Sequence, residues 1–301
     1  MSWKAYIHGF KAYMKLERSM SPNSVEAYLS DAEKLKQWVQ RNHPNLMPEA
    51  LDGNLLSEFI QDINKMGMGE RTQARILSGV KAFYKYLLLE DLINDDPTEL
   101  LLGPKLKRKI PEVLNIEEIN AMMETIDLSD AQGHRNRAIL ETLYASGLRV
   151  SELITLKISH FYFDEGFVRV IGKNNKERIV PIGEEAIRQN LYYIENYRNK
   201  LSIQKGNEDI LFLNRRGKGL TRVMVFYIIK KAAERAGIKK NVSPHTFRHS
   251  FATHMVEGGA DLRAVQDMLG HESILTTEIY THLDTNFLRE TLLNYHPRSR
   301  K

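Results

Sequence analysis

The chain has 301 residues, of which 42% are apolar, enough for two ordinary cores; a lone small module or a disordered tail is excluded. It contains no cysteine, which removes disulfides, thiolate nucleophiles, zinc fingers and iron–sulfur ligation and leaves oxygen or nitrogen as any nucleophile. Lys and Arg number 43 against 38 Asp and Glu, a net charge of +5 with a pI near 9.1, which suits a polyanionic partner without requiring one.

The opening MSWKAYIHGFKAYMKLERSM reads as an amphipathic helix without the apolar centre of a signal peptide. No stretch approaches the ~20 apolar residues of a membrane span, so a soluble, cytoplasmic protein is expected. Ser21-Pro22 supplies an N-cap and a proline at the first helical position, and Val25, Leu29, Ala32, Leu35 and Val39 then recur on one helical face. A further helix over 55–66 stops at Gly67 and Gly69, and another over 71–89 carries Ile76, Val80, Phe83 and Leu87 as its stripe. Lys34, Lys36, Arg71, Thr72, Arg75 and Lys81 on these helices suit phosphate oxygens, although solvated helix faces look the same.

Asp96-Pro97 closes this helical module, placed at 1–102. GPKLKRKIP, at 103–111, has no apolar period and carries Lys105, Lys107, Arg108 and Lys109, which marks a basic linker able to lie along a DNA backbone or simply to stay solvated. The second module, 112–301, opens with helices over 116–126 and 135–146. FVRVIGKNNKERIVPI at 167–182 alternates apolar and polar residues on either side of a glycine-containing tip, a hairpin pattern. A helix near 184–200, an apolar run at 210–213 and three more helical stretches complete the chain, giving a mainly α architecture with a small β-sheet.

Several residues could carry chemistry. In ASGLRVSEL, Gly147 ends one helix and SEL opens another, so Arg149 can aim its planar fork at a phosphate beside a helix N-terminus; an ion pair with Glu152 is the plainer use. Lys173, Asn174, Asn175 and Lys176 sit at the hairpin tip with Arg178 just beyond; lysine there can protonate a leaving oxygen or keep the turn soluble. In PHTFRHSFATH, His245 and Arg248 share a helical face and can grip one phosphate. His245, His249 and His254 also have spacings that a metal could use, without the glutamate of a zinc-protease motif. LGHESILTTEIYTHL places His271 after Gly270 and Tyr280 farther on, where an isolated tyrosine is ordinarily a core or rim residue. RRGKG at 215–219 lacks the length and the Lys-Ser/Thr of a phosphate-binding loop, so Arg215 and Arg216 read as a backbone-contacting or plain surface turn.

The conjunction is more specific than its parts. ASGLRVSEL, IGKNNKERIVPIG, HTFRHSFATHMVEGG and LGHESILTTEIYTHLD, in this order, resemble the signature blocks of the tyrosine site-specific recombinases, most closely the Xer recombinases. NDDPTELLLGPKLKRKIP resembles that family's interdomain joint, 71–89 a helix of its core-binding domain, and NYHPRSR a Xer tail. The resemblance implies an N-terminal helical, SAM-like core-binding bundle followed by an α+β catalytic domain. It implies Arg149 and Arg248 as phosphate-clamping arginines, Lys173 as the hairpin lysine, His245 and His271 as the site histidines, Tyr280 as the nucleophile and Glu152 as a supporting carboxylate. Expected DNA contacts are Arg71, Thr72, Arg75, Lys105, Lys107, Arg108, Lys176, Arg178, Arg215 and Arg216.

A phosphodiester resists nucleophiles because it is an anion, and two guanidiniums with histidine donors can neutralise the charge that grows at five-coordinate phosphorus. A 3′-phosphotyrosyl link would store the broken bond, so no cofactor, metal or ATP is expected. The resemblance further implies double-stranded DNA with a dif-like site as partner, a homo- or hetero-tetramer, and a septal DNA translocase (FtsK-type) as a further partner, in the cytoplasm on the nucleoid. It also implies a C-terminal helix that reaches into a neighbour with Phe287, Leu288, Leu292 and Leu293 as its apolar face; folding back onto its own domain is the alternative. Integration of a mobile element, or DNA-binding regulation without catalysis, would use the same scaffold.

Overall fold

The structure, a computed structural model, describes residues 2–105, 112–172, 175–270 and 282–299, with backbone alone for 282–286. Two compact units divide the chain, Met1–Lys109 and Ile110–Lys301. No helix among the described residues is long and apolar enough to cross a membrane.

The first unit is a bundle of α1 (Trp3–Leu16), α2 (Pro22–Asn42), α3 (Gly53–Lys65) and α4 (Glu70–Leu89). The Ser21 hydroxyl accepts from the Ser24 amide and the Asp52 carboxylate from the Leu55 amide, satisfying amides that a helix start leaves unpaired. Phe83 on α4 meets Trp3 and Phe10 of α1, with the Phe10 ring edge-on at 5.3 Å. Asp31 is fully buried between α2 and α4, where Arg75 and Lys34 neutralise it.

In the second unit, α5 (Ile116–Glu124) and α6 (Ala131–Ser146) lead into the five-residue α7 (Val150–Ile154). A three-stranded antiparallel sheet follows in the order β1 (Phe161–Tyr162), β2 (Phe167–Ile171), β3 (Glu177–Pro181), with Val168 opposite Val180 and Ile171 opposite Glu177. The expected hairpin is β2–β3, closed where the Gly172 amide donates to the Lys176 carbonyl. The short β1 has too little sequence to show a period. Then come α8 (Glu184–Asn196), α9 (Arg222–Arg235), α10 (Pro244–Glu257), α11 (Leu262–Leu269) and α12 (His282–Tyr295). Among the described residues, four helices rather than three follow the apolar run at 210–213, with Gly258 and Gly259 between α10 and α11.

Helix α6 is the centre of this unit, packed against α8 and α10 and buried around almost its whole circumference, polar residues such as Glu141 and Thr142 included. Helix α12 packs on β3, α10 and α11 of its own unit, and Leu288 and Leu292 are buried there, while Phe287 and Leu293 are exposed.

Candidate active site

Helix α6 ends at Gly147 in the left-handed region (φ 58°), a turn that a side chain could not share, since a Cβ there would lie 2.5 Å from the Phe251 ring. The turn puts Arg149, in extended conformation, at the start of α7. Helix α11 ends the same way at Gly270 (φ 64°). Helix C-termini carry unpaired carbonyls and a partial negative charge, and here they hold three arginines. Arg248 on α10 donates from one nitrogen to the Gly147 carbonyl (2.8 Å) and from another to the Leu269 carbonyl (2.6 Å). Arg149 donates to the Gly270 carbonyl (3.2 Å) and Arg178 to that of Met268 (3.0 Å).

Glu152 ties two of these arginines together. One of its oxygens accepts from the Arg149 guanidinium (3.0 Å) and from Arg178 (2.8 Å); the other accepts from Arg178 (2.9 Å) and from the Arg149 amide (2.8 Å). Burial opposes the charge on Glu152, but the Arg178 fork, with help from Arg149, outweighs it and holds the carboxyl below the ordinary glutamate range. Burial, and then the nearby charge of Arg149, push the Arg248 guanidinium down to about 10, so it remains a cation at neutral pH. Arg149 keeps 36% of its side chain exposed, whereas Arg178 keeps 7%. The clamp therefore has one presented guanidinium and buried ones behind it.

His245 lies in the first turn of α10, after the Ser243 cap and Pro244, and is exposed one helical turn before Arg248. His249 is partly buried, and His254 is buried with its Nδ1 against the Tyr144 hydroxyl (2.8 Å), so these three histidines do not share one environment. Lys173, His271 and Tyr280 lie outside the described residues, as do Lys107 and Arg108.

Of the expected DNA contacts, Arg71 and Thr72 are exposed at the start of α4, and Lys105, Lys176, Arg215 and Arg216 are exposed as well. Arg178 is a correction: it is buried, with its guanidinium spent on Glu152 and the Met268 carbonyl, and cannot lie on a DNA backbone from there. Arg75 is likewise committed to Asp31, although part of its side chain stays exposed. The supporting role of Arg178 escaped the sequence because position 178 follows a polar tip and a short strand looks the same from either face. A signal did exist: two helices ending in glycine leave carbonyls that need donors.

Comparison with known proteins identifies the family. Residues 112–286 match the phage integrase family, and residues 7–91 match the N-terminal SAM-like domain of phage integrases. The chain belongs to the phage integrase family. It is a tyrosine recombinase, 41% identical over 293 residues to the tyrosine recombinase XerD of Staphylococcus aureus, covering 97% of this chain and 99% of that relative. The tyrosine recombinase XerD of Staphylococcus epidermidis is as similar, 41% over the same length. Among solved structures, the XerH site-specific recombinase bound to a palindromic difH substrate, a post-cleavage complex, superposes with a TM-score of 0.70 at 24% identity, over 91% of this chain and 80% of that one. A lambda integrase dimer bound to a COC′ core site gives 0.69 at 15% identity, over 93% and 100%. The recombinase thus shares the fold of these proteins, a helical SAM-like unit and a mixed catalytic unit.

Proposed function

We propose that this recombinase breaks and rejoins double-stranded DNA at a specific site through a 3′-phosphotyrosyl intermediate formed on Tyr280. One observation carries the reading: Arg149 and Arg248, far apart in sequence, converge on the paired ends of α6 and α11, where their hydrogen bonds to Gly147, Leu269 and Gly270 fix them as a preorganised cation pair. Such a pair suits the non-bridging oxygens of a scissile phosphate, whose charge rises as phosphorus becomes five-coordinate.

In this scheme the Tyr280 oxygen attacks phosphorus, its proton passes to His245 or to water, and the 5′-oxygen of the next deoxyribose leaves. Lys173 donates the proton that this oxygen needs, and His271 adds a further hydrogen bond to the phosphate. Attack by the 5′-hydroxyl of another strand reverses these steps and frees the tyrosine, so the energy of the broken bond is retained. Glu152 does not react; it holds Arg149 and Arg178 in register. Arg71, Thr72, Lys105, Lys107, Arg108, Lys176, Arg215 and Arg216 serve as contacts to the DNA backbone.

The biological role we infer is the resolution of chromosome dimers at a dif-like site, in the cytoplasm on nucleoid DNA. Four recombinase subunits, identical or paired with a paralogue, would act there under a septal DNA translocase. Similarity to XerD along nearly the whole chain supports this over integration of a mobile element. The test is capture: DNA covalently bound to the protein is recovered from cells, sequenced, and rebuilt as a nicked duplex. Wild-type protein should accumulate a covalent adduct on that duplex, and Tyr280→Phe should bind it and form none. An adduct with Tyr280→Phe would refute the assignment. Unchanged function in cells carrying that variant would point to DNA-binding regulation without catalysis.

A further inference from the structure

Helix α2 buries Val25, Ala32, Leu35 and Val39, and among them stands Asp31 with none of its side chain exposed. A carboxylate there adds little stability that an apolar side chain would not, because taking both members of an ion pair out of water cancels much of their attraction. Strand cleavage makes no use of it either. Its partners point to its purpose. Lys34, one turn on, lies 3.4 Å from Asp31 Oδ1 and is also held by the Ser30 hydroxyl at 2.8 Å. Arg75 comes across from α4, where its Nη1 donates to Asp31 Oδ2 and lies 3.5 Å from the Ala27 carbonyl. The Nε–Nη2 edge of the same guanidinium has no partner among the described residues, and 40% of the Arg75 side chain is exposed.

The neighbours of that free edge are short. Thr72 and Ser78 lie one turn before and one turn after Arg75 on α4, and both are exposed. On α2 the nearest positions are Ala27, partly buried, and Ser30, exposed. A broad groove edge can therefore come close to the guanidinium.

Two kinds of group in DNA accept from such a fork. A phosphate rewards net charge, and here Asp31 offsets the charge of Arg75. A guanine presents N7 and O6 side by side in the major groove as neutral acceptors, and it rewards direction. A guanidinium whose charge is compensated and whose plane is held by a buried carboxylate gives up the first advantage and keeps the second.

We propose that Arg75 determines sequence specificity by donating from Nε and Nη2 to the O6 and N7 of one guanine in the major groove, and that Asp31 is the positioning residue that fixes its fork. This rests on the reading of the protein as a site-specific DNA recombinase. To that reading it adds the side chain of the first unit that meets a base, beside Arg71 and Thr72 at the phosphates.

The test uses full-length protein and the duplex recovered by covalent capture. Each base pair of that duplex is replaced in turn, and Kd is measured at one fixed salt concentration for wild type, Arg75→Lys and Asp31→Asn. Wild type should reveal a G·C pair whose replacement weakens binding about 10- to 100-fold. Arg75→Lys keeps a cation beside the buried carboxylate, and with it the fold of the unit. It should become indifferent to that one pair while every other pair keeps its wild-type effect. Asp31→Asn keeps the shape of the buried side chain and frees the charge of Arg75, so the preference at the same pair should shrink while affinity for a duplex of unrelated sequence rises. A merely structural role for the ion pair would weaken all duplexes alike and alter no preference. The inference is overturned if Arg75→Lys retains the wild-type profile at every pair, if the pair that loses its effect is A·T, or if binding to all duplexes weakens by one common factor, the mark of a phosphate contact. It is equally overturned if Asp31→Asn leaves the preference as large as in wild type. Adduct formation on the captured duplex is followed in parallel. Its absence in wild type would refute the recombinase reading, whereas a wild-type adduct with an unaltered Arg75→Lys profile sinks this inference alone.

Discussion

At the scale of single residues, the site is a set of cations held by acceptors that packing made available. Arg248 forks between two carbonyls from different helices, a geometry that a lysine, with one nitrogen, cannot reproduce. Arg248→Lys should therefore lose nearly as much as Arg149→Ala, with adduct formation falling about 10²–10³-fold for each by the usual cost of one preorganised donor, measured in single-turnover cleavage. Glu152→Gln leaves Arg178 buried without its counter-charge, and breaking such a pair should lower unfolding stability by about 3–5 kcal/mol in urea titration. His296 gives a pH dependence of definite sign. Burial pushes it down to about 4, below the ordinary 6.5 of the unfolded chain, so the unfolded state takes up the proton first as pH falls. Its contribution is complete above 6.5 and is lost as pH falls toward 4, by at most about 3 kcal/mol. Unfolding free energies from urea titration at pH 7.5 and 4.5 should differ more for wild type than for His296→Gln, by about 2–3 kcal/mol.

At the scale of elements, the ends of α6 and α11 matter more than their lengths. Gly147→Ala forces a side chain into the left-handed region and toward Phe251, so it should cost at least about 2 kcal/mol and slow cleavage by displacing the carbonyl that holds Arg248. Paired urea unfolding and cleavage measurements check both effects. Much at this scale was legible beforehand: Ser21-Pro22 starts α2, the stripe from Ile76 to Leu87 marks α4, and Gly147 stops α6. The identities of Arg149, Glu152 and Arg248 could be read by resemblance, since their motifs are local. Beyond the Arg149–Glu152 pair, three residues apart, what could not be read is who partners whom. Arg178 and Arg215 are both arginines near turns, and only the return of α11 past β3 makes one a buried strut and leaves the other at the surface. The inner face of α6 was equally silent, because this helix buries polar residues such as Arg135, Glu141 and Thr142 beside apolar ones and so has no period to announce which residue meets which partner.

At the scale of the molecule, two units joined through a basic stretch would gain affinity from DNA mostly through phosphates. If ~6 to 10 of these are neutralised, binding should weaken about 10³–10⁵-fold between 50 and 200 mM salt, and a flat response would contradict a site that grips DNA chiefly by its backbone. Among the described residues of the second unit, Arg149, Arg178 and Arg248 gather near a single carboxylate, Glu152, which leaves an excess of two positive charges in that cluster. Like charges so placed repel one another whenever no guest is present, and the fold bears that repulsion. An oxyanion arriving between them relieves it. The unliganded protein should accordingly be a less durable molecule than its complexes, melting at higher temperature in sulfate than in chloride of equal ionic strength. The same internal discord that makes the empty protein fragile is what makes a phosphate welcome.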